Sequence, residues 1–231
     1  MSRRHTNTST TQWNPLTDPY LLFYAPMTQG DLTDHISNTD LQGYDNTKVV
    51  WDSTYNMYQV MKQSQADEMY WNVNLLYNAT TNPYGMQLSS SQGYTIYVFC
   101  KRELVVSNNY PPYIIMGSYR LESTFSPSVA SIGQEDNFSL RELLLGRAIV
   151  HDIGGKTFYK DISNGLVTNV HSENSSGRLN PQNWVTDNYS RIAINPKRGN
   201  EDPDMSIWVK TVLVYSRALT DNELRIINTS L

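Results

Sequence analysis

Aromatic side chains beside amide and carboxylate residues are the first chemistry that this chain offers. Tyr84 and Tyr110 stand in segments rich in proline and asparagine, and Trp184 and Tyr189 lie on either side of the polar run 186–188. A flat ring can stack on the apolar face of a sugar, while Asn, Asp and Gln side chains bond to its hydroxyls. Loops at the ends of a rigid scaffold commonly carry such sites. The pattern predicts carbohydrate binding at these four residues, although 16 tyrosines also suit strand packing and protein interfaces.

Enzymatic chemistry is not indicated by the sequence. It contains no G-x-S-x-G, no H-E-x-x-H and no glycine-rich phosphate loop. The single cysteine, Cys100, permits no internal disulfide and lies in a strand-like run, where a buried, unreactive thiol is expected. The histidines lack the spacing of metal ligands and are interpreted as surface or packing residues: His5, His35, His151 and His171. We therefore predict that the protein is not an enzyme.

Charge and hydropathy exclude two kinds of partner. The net charge of −4 and the pI near 5.5 argue against binding to nucleic acid, which requires a basic surface, and Arg3-Arg4 is too short to supply one. No run approaches the roughly 18 apolar residues of a membrane span, so membrane insertion is not predicted. The first residues lack the apolar segment of a secretory signal, which predicts synthesis in a reducing cytoplasm.

The elements that must position these side chains are mostly strands. Alternating or continuous apolar runs rich in β-branched and aromatic residues predict strands. The run 94–100 is apolar on both faces and is predicted to be central in its sheet. At 139–146 a capping box favours a short helix, and helix and strand both remain open for this segment. The predicted strands are 20–25, 49–51, 57–61, 69–77, 94–100, 113–119, 148–153, 156–162, 166–171, 189–194 and 205–215.

The C-terminal segment runs from a strand through a short turn into a capped helix. Thr220 and Glu223 have the spacing of a capping box, in which each side chain bonds to the other residue's backbone amide. Leu219 and Leu224 stand where a hydrophobic staple would close over that turn. A short C-terminal helix is therefore predicted.

The same segment resembles the closing part of laminin-G-like domains, which belong to the concanavalin A-like lectin and glucanase superfamily. In that family the last strand ends in a pattern close to V-x-Ψ-Y-x-R-x-L-[ST]-x-x-E-[IL]. A hydrophobic strand and polar turn at 21–34 are similar to the family's opening segment. The resemblance implies an all-β fold, a two-sheet antiparallel jelly-roll sandwich. The matching residues are Val212, Tyr215, Arg217, Leu219, Thr220, Glu223 and Leu224.

The resemblance also suggests two kinds of site to look for, a catalytic carboxylate motif and a calcium site. Glucanases of this superfamily carry an E-x-D-x-E strand motif, which is missing here. Many relatives hold Ca²⁺ at the rim of the sandwich through oxygen ligands. Calcium is therefore a candidate ligand at Asp31 and Asp34 or at Asp202 and Asp204, against the alternative that these residues serve turns. No cofactor other than calcium is expected.

The chain is predicted to consist of an N-terminal arm, residues 1–19, and a laminin-G-like sandwich, residues 20–231. Trp13 and Leu16 are the sizeable apolar side chains of the arm, and we expect them to dock on an assembly partner. One hypothesis is a non-enzymatic structural or adsorption component of a bacteriophage particle: a head fibre, capsid decoration or tail-associated protein. It predicts a virion protein that forms a homo-oligomer or contacts other virion proteins, and that can bind cell-surface glycans. The alternative is a free-standing, extracellular lectin-like module.

Overall fold

The structure is a computed structural model, and it describes residues 13–43, 46–61, 69–72, 76–78, 82–87, 93–102, 114–118, 129–132, 145–174, 190–195 and 206–230. Strands dominate these residues, and every pairing between strands in these ranges is antiparallel. The predicted all-β sandwich is confirmed. None of the helices within these ranges is long and apolar enough to span a membrane.

The strands are β1 (Leu21–Ala25), β2 (Thr33–Asp34), β3 (Thr39–Asp40), β4 (Val49–Asp52), β5 (Met57–Val60), β6 (Tyr70–Asn72), β7 (Leu76–Asn78), β8 (Asn82–Gln87), β9 (Tyr94–Arg102), β10 (Ile114–Ser118), β11 (Val129–Ile132), β12 (Leu145–His151), β13 (Lys156–Ser163), β14 (Leu166–Asn174), β15 (Ser190–Ile194) and β16 (Ile207–Tyr215). A 3₁₀-helix, Pro15–Thr17, precedes them, and helix α1, Asp221–Ser230, follows.

The large sheet has eight strands in the order β14-β13-β12-β9-β16-β5-β4, with β1 also paired to β16. Strand β16 borders β9 on one side. On the other side its first half pairs with β5, and its second half, from Val212 to Tyr215, pairs with β1. The pairing with β9 shifts between Val209 and Thr211, so Lys210 is the extra residue of a bulge. The last strand, β16, therefore lies in the middle of the sheet and pairs there with the first strand, β1.

The small sheet has the order β11-β10-β15-β6 and packs on the inner face of the large one. Trp71 on β6 and Ile192 on β15 share one buried cluster with Ile96 on β9 and Val214 on β16. Phe23 contacts Trp71 edge-on, with ring centroids 5.2 Å apart. This cluster is the main core between the sheets.

The outer face of the large sheet, opposite the small sheet, is covered at one end by helix α1. Leu224 and Ile227 of the helix join a second buried cluster with Tyr97, Leu213 and Tyr215. Alternation along each strand divides its side chains between the two clusters, so this sheet is buried on both faces here. Helix α1 does not reach the other end of the outer face.

Most predicted strands are present, and the sequence missed several others. The hairpin of β4 and β5 and the meander of β12, β13 and β14 are confirmed, and β9 is central as predicted. The short strands β2, β3, β8 and β11 were not predicted, because their residues lack a clear alternating pattern. At 139–146, Leu145 and Gly146 lie in β12, so neither forms the end of a helix. Residues 139–144 are outside the described ranges.

Candidate ligand-binding surface

One row of side chains crosses four strands on the outer face of the large sheet. Lys101 on β9 pairs with Trp208 on β16, Trp208 pairs with Gln59 on β5, and Gln59 pairs with Val50 on β4. Directly paired residues of an antiparallel sheet share a face. The alternate residues of these strands, such as Cys100, point into the main core, so this row points outward.

Asp52 fixes the indole of Trp208 against the β4–β5 hairpin. The Nε1–H group of Trp208 donates to Asp52 Oδ2 at 2.8 Å, across 156 residues of sequence. The other oxygen of Asp52 accepts from the backbone amide of Thr54 at 2.8 Å. The hydrogen bond from Trp208 is the main reason that the pKa of Asp52 lies below its ordinary value. The carboxylate is therefore charged and holds both the turn and the indole.

Tyr55, in the turn of that hairpin, folds back onto the indole. The Tyr55 and Trp208 ring centroids are 5.9 Å apart at an interplanar angle of 70°. The ammonium of Lys101 lies 4.6 Å from the centre of the Tyr55 ring and 4.4 Å from that of Trp208. Tyr55 is 41% exposed, whereas Trp208 is 9% exposed. Tyr55 is thus an exposed ring on a buried aromatic support, and we call Asp52, Tyr55, Lys101 and Trp208 the aromatic–lysine surface.

A second aromatic–lysine contact adjoins this surface. The bulge in β16 places Lys210 beside β9, where its ammonium lies 5.6 Å from the centre of the Phe99 ring. Trp208 and Lys210 are two residues apart on β16, as Phe99 and Lys101 are on β9. Each strand therefore presents one aromatic residue and one lysine. Because the strands are antiparallel, the aromatic residue of each strand lies beside the lysine of the other.

This arrangement combines the parts of a site for a polar, ring-shaped ligand. Tyr55 supplies an exposed aromatic surface and a phenolic hydroxyl, and Asp52 supplies a charged acceptor. The lysines supply donors whose ammonium groups lie over aromatic rings, which restricts their motion before a ligand arrives. The side chains are carried by strands of one sheet and a tight hairpin.

The side chains of the sugar-binding residues predicted from the sequence lie outside the described part of the structure. Tyr84 lies in β8, and its side chain is outside the described part of the structure, as are Tyr110, Trp184 and Tyr189 entirely. Their role in sugar binding stays a prediction. The sequence signal for Tyr55 was its place in the polar turn between two strands. Its partnership with Trp208 had no local signal, because sheet pairing alone brings them together.

The N-terminal anchors contact the sandwich itself. Trp13 donates through Nε1 to Asp18 at 2.8 Å, and its ring centroid is 6.3 Å from that of Tyr215. Leu16 is 39% exposed. Residues 13–18, assigned by the sequence to the arm, therefore pack on the domain, with Leu16 still accessible. Docking of Trp13 and Leu16 on a partner stays a prediction.

The calcium candidates that are described have internal partners. Asp34 is fully buried and accepts from the amides of Tyr24 at 2.9 Å, Ile36 at 3.1 Å and Ser37 at 3.1 Å. Asp31 Oδ2 lies 2.7 Å from His35 Nε2. In the ranges given above, no three His, Cys, Asp or Glu side chains are grouped to hold a metal ion. Asp202 and Asp204 are outside those ranges.

Comparison with known proteins identifies similar folds. The amino-acid sequence matches no protein-family model and no curated protein. The receptor-binding domain of botulinum neurotoxin D superposes with a TM-score of 0.59 at 14% identity, over 91% of this chain and 52% of that chain. Botulinum neurotoxin type C, which enters cells dependent upon interaction with two ganglioside molecules, gives 0.58 at 14% identity, over 91% and 51%.

A third similar structure is the binding domain of botulinum neurotoxin DC in complex with SialylT, with a TM-score of 0.58 at 13% identity, over 92% of this chain and 52% of that chain. This chain therefore spans about half the length of the structures it matches. Identities this low establish the fold alone. The chain therefore folds as the same kind of β-sandwich as part of these toxin domains.

Proposed function

We propose that this domain is a non-enzymatic carbohydrate-binding module that uses the aromatic–lysine surface. The observation that carries the proposal is the exposed ring of Tyr55, held over Trp208 beside a charged carboxylate. A ring fixed by neighbours can stack on a sugar with little further loss of conformational entropy. Asp52 and Lys101 lie where they can bond to the hydroxyls of the same sugar.

The similar structures support the proposal without deciding it. They are receptor-binding domains of toxins, and one is complexed with SialylT. A rigid sandwich carrying recognition side chains at its surface is a common arrangement in binding modules. The function is inferred for this chain from its own surface, since fold alone does not specify a ligand.

The first experiment is a glycan array probed with the purified protein, followed by calorimetry on each glycan bound. We expect Tyr55→Ala to weaken binding about tenfold or more, equivalent to about 1.4 kcal/mol. Trp208→Phe keeps an aromatic support but removes the donor to Asp52, and we expect a smaller loss.

The matched control is Tyr20→Ala. Tyr20 is 46% exposed and lies next to the opposite end of β16, about 26 Å along the strand from Trp208 at 3.3 Å per residue. Full binding by Tyr55→Ala would remove this surface from the proposal. Loss of binding in Tyr84→Ala, Tyr110→Ala, Trp184→Ala or Tyr189→Ala would instead support the aromatic residues predicted from the sequence. An array with no bound glycan would reject the function.

Placement in a bacteriophage particle, as a homo-oligomer or with other virion proteins, is a separate proposal. Its support is the polar, weakly charged composition and the single buried thiol. Light scattering after size exclusion should give a mass above 26.4 kDa for the protein if it self-associates. A strict monomer that Leu16→Asp leaves unchanged would argue against an assembly contact through Leu16.

Calcium binding is likewise a proposal that needs its own test. Thermal unfolding with calcium and with a chelator should differ if an ion binds the folded state, because such a ligand raises the unfolding temperature. Asp31→Asn would abolish the difference if the ion sits at the β2–β3 hairpin. Asp204→Asn would abolish it if the ion is bound by Asp202 and Asp204. Identical curves in calcium and chelator would reject the ion.

A further inference from the structure

We propose that the ligand of the aromatic–lysine surface is an acidic glycan, whose sugar carboxylate is bound by Lys101 and Lys210. This inference rests on the proposed function and names its substrate class. It comes from the charge of the two lysines and from the aromatic rings that hold them.

No carboxylate of the described residues forms an ion pair that would neutralise either lysine. Across the described part of the chain, neither Lys101 nor Lys210 forms an ion pair. Elsewhere on the same sheet, Lys160 Nζ lies 2.5 Å from Asp221 and Arg147 Nε lies 3.4 Å from Asp161. The surface is thus locally basic on a chain whose net charge is −4.

Asp52 is charged but forms no ion pair with either lysine among the described residues, so two ammonium groups face one carboxylate here. The two oxygens of Asp52 accept hydrogen bonds from neutral donors. One accepts from the indole of Trp208 and the other from the amide of Thr54. A lysine ammonium has three donors, and contact with ring faces uses none of its directional hydrogen bonds. The ammonium groups therefore keep donors for an anion from solution.

The spacing of the two lysines suits a single sugar residue. Lys101 pairs with Trp208, and Lys210 follows two positions along β16, so the two lysines are neighbours across the β9–β16 pair. In a regular antiparallel pair such diagonal neighbours are about 7–8 Å apart. A carboxylate offers two oxygens, each of which can accept from a separate ammonium. With the carboxylate between the lysines, the sugar ring lies beside Tyr55, which supplies the stacking surface.

The test uses a glycan array on which each sugar-acid-containing glycan is printed beside its carboxyl-reduced form. Wild-type protein should bind the acidic member of a pair about three- to tenfold more tightly. Lys101→Gln and Lys210→Gln should each reduce that preference, and the double variant should remove it. The preference should also weaken at 0.5 M salt, where exposed charges are screened.

The matched control is Lys156→Gln. The ammonium of Lys156 also lies on an aromatic ring, 5.2 Å from the centre of Phe158, but at the far end of β13. This variant should keep the full preference for acidic glycans. Loss of the preference in this variant would show a general charge effect and overturn the assignment to Lys101 and Lys210.

The remaining outcomes separate this inference from the function on which it rests. Equal binding of the acidic and reduced forms would overturn the acidic ligand but leave carbohydrate binding in place. An acid preference that survives in the double variant would place the carboxylate elsewhere and overturn the site. Failure to bind any printed glycan would reject the proposed function together with this inference.

Discussion

The guanidinium of Arg217 lies 2.5 Å from the carboxylate of Asp18, although 199 residues separate them. The same group donates to Glu223 at 2.6 Å and 3.1 Å. Arg217 therefore joins the segment before β1, the end of β16 and the start of helix α1. Tyr215 adds to this junction, because its hydroxyl donates to the carbonyl of Pro15 at 3.1 Å.

Loss of this junction should destabilise the whole domain. We expect Arg217→Met to lower the free energy of unfolding by about 1–3 kcal/mol, between the values for exposed and fully buried ion pairs. The reason is that Asp18, which is buried, loses a charged donor. Urea denaturation followed by tryptophan fluorescence measures the change.

The control for that experiment is Arg225→Met, on the exposed side of helix α1. Among the described residues, its Nε donates to the backbone of Asp221 alone, at 3.4 Å. We expect a change below about 0.5 kcal/mol, as for most surface substitutions. Equal effects of the two variants would show that the junction contributes no specific stability.

The junction should also make stability depend on pH. Burial by itself would raise the pKa values of Asp18 and Glu223, but hydrogen bonds from Arg217 and from nearby donors outweigh it and hold both below their ordinary values of 3.8 and 4.5. Carboxyl groups with depressed folded-state pKa values stabilise the fold above the unfolded-state pKa. This contribution is complete above about pH 5 and is lost as the pH falls through the lower, folded-state values.

The free energy of unfolding should therefore fall between pH 5 and pH 3. The fall should be smaller in Asp18→Asn, which has no carboxyl group to titrate, and in Arg217→Met, which lacks the donor that depresses both pKa values. Denaturation at pH 7, 5, 4 and 3 provides the comparison. Parallel pH curves for the three proteins would contradict the role assigned to this junction.

The junction shows what the sequence could predict and what it could not. Local spacing indicated the cap between Thr220 and Glu223, and the family resemblance included Tyr215 and Arg217 among its matching positions. Neither source indicated what Arg217 binds, because Asp18 is distant in sequence and belongs to a segment assigned to an arm. Local patterns define elements, whereas pairing between distant strands creates such contacts.

The same limit applies to the candidate site. The β4–β5 hairpin was predicted, and so was the last strand, but their adjacency was not. Without that adjacency, nothing in the sequence distinguished Trp208 from other aromatic residues of buried strands, or Tyr55 from other turn residues. Sequence reasoning favoured aromatic residues in polar loops, which led to Tyr84 and Trp184 instead.

The capping box itself gives a local prediction. Thr220 Oγ1 accepts from the amide of Glu223 at 3.3 Å, and Glu223 Oε2 accepts from the amide of Thr220 at 2.8 Å. Thr220→Ala should lower the free energy of unfolding by about 1 kcal/mol, because helix α1 loses its N-terminal acceptor. Thr220→Ser keeps the hydroxyl and should stay within about 0.3 kcal/mol of wild type.

Thr229→Ala is the control at the other end of the helix, where the hydroxyl bonds back to Arg225 O at 3.0 Å and to Ile226 O at 3.1 Å. We expect little change, because this bond caps no free amide. If Thr220→Ser is as damaging as Thr220→Ala in chemical denaturation, the methyl group and not the cap stabilises the turn.

A final prediction concerns Gly146, where β12 passes beneath helix α1. A Cβ at this position would lie 2.4 Å from Asn228 Oδ1 and 2.5 Å from the hydroxyl of Tyr97. Those two atoms form a hydrogen bond of 2.8 Å that ties the helix to β9. Burial raises the pKa of Tyr97 well above its ordinary value, so its hydroxyl remains a donor at physiological pH.

Gly146→Ala must displace the ring, the helix or both, and should lower the free energy of unfolding by about 1–3 kcal/mol. Gly154→Ala is the matched control, since a Cβ there would lie 3.3 Å from Asp152 Oδ1, which accepts from the amide of Lys156 and needs to shift by only a few tenths of an ångström. Denaturation of both variants, with amide hydrogen exchange in helix α1, tests the argument. Faster exchange in the helix of Gly146→Ala alone is expected, because the helix is held to the sheet through this contact.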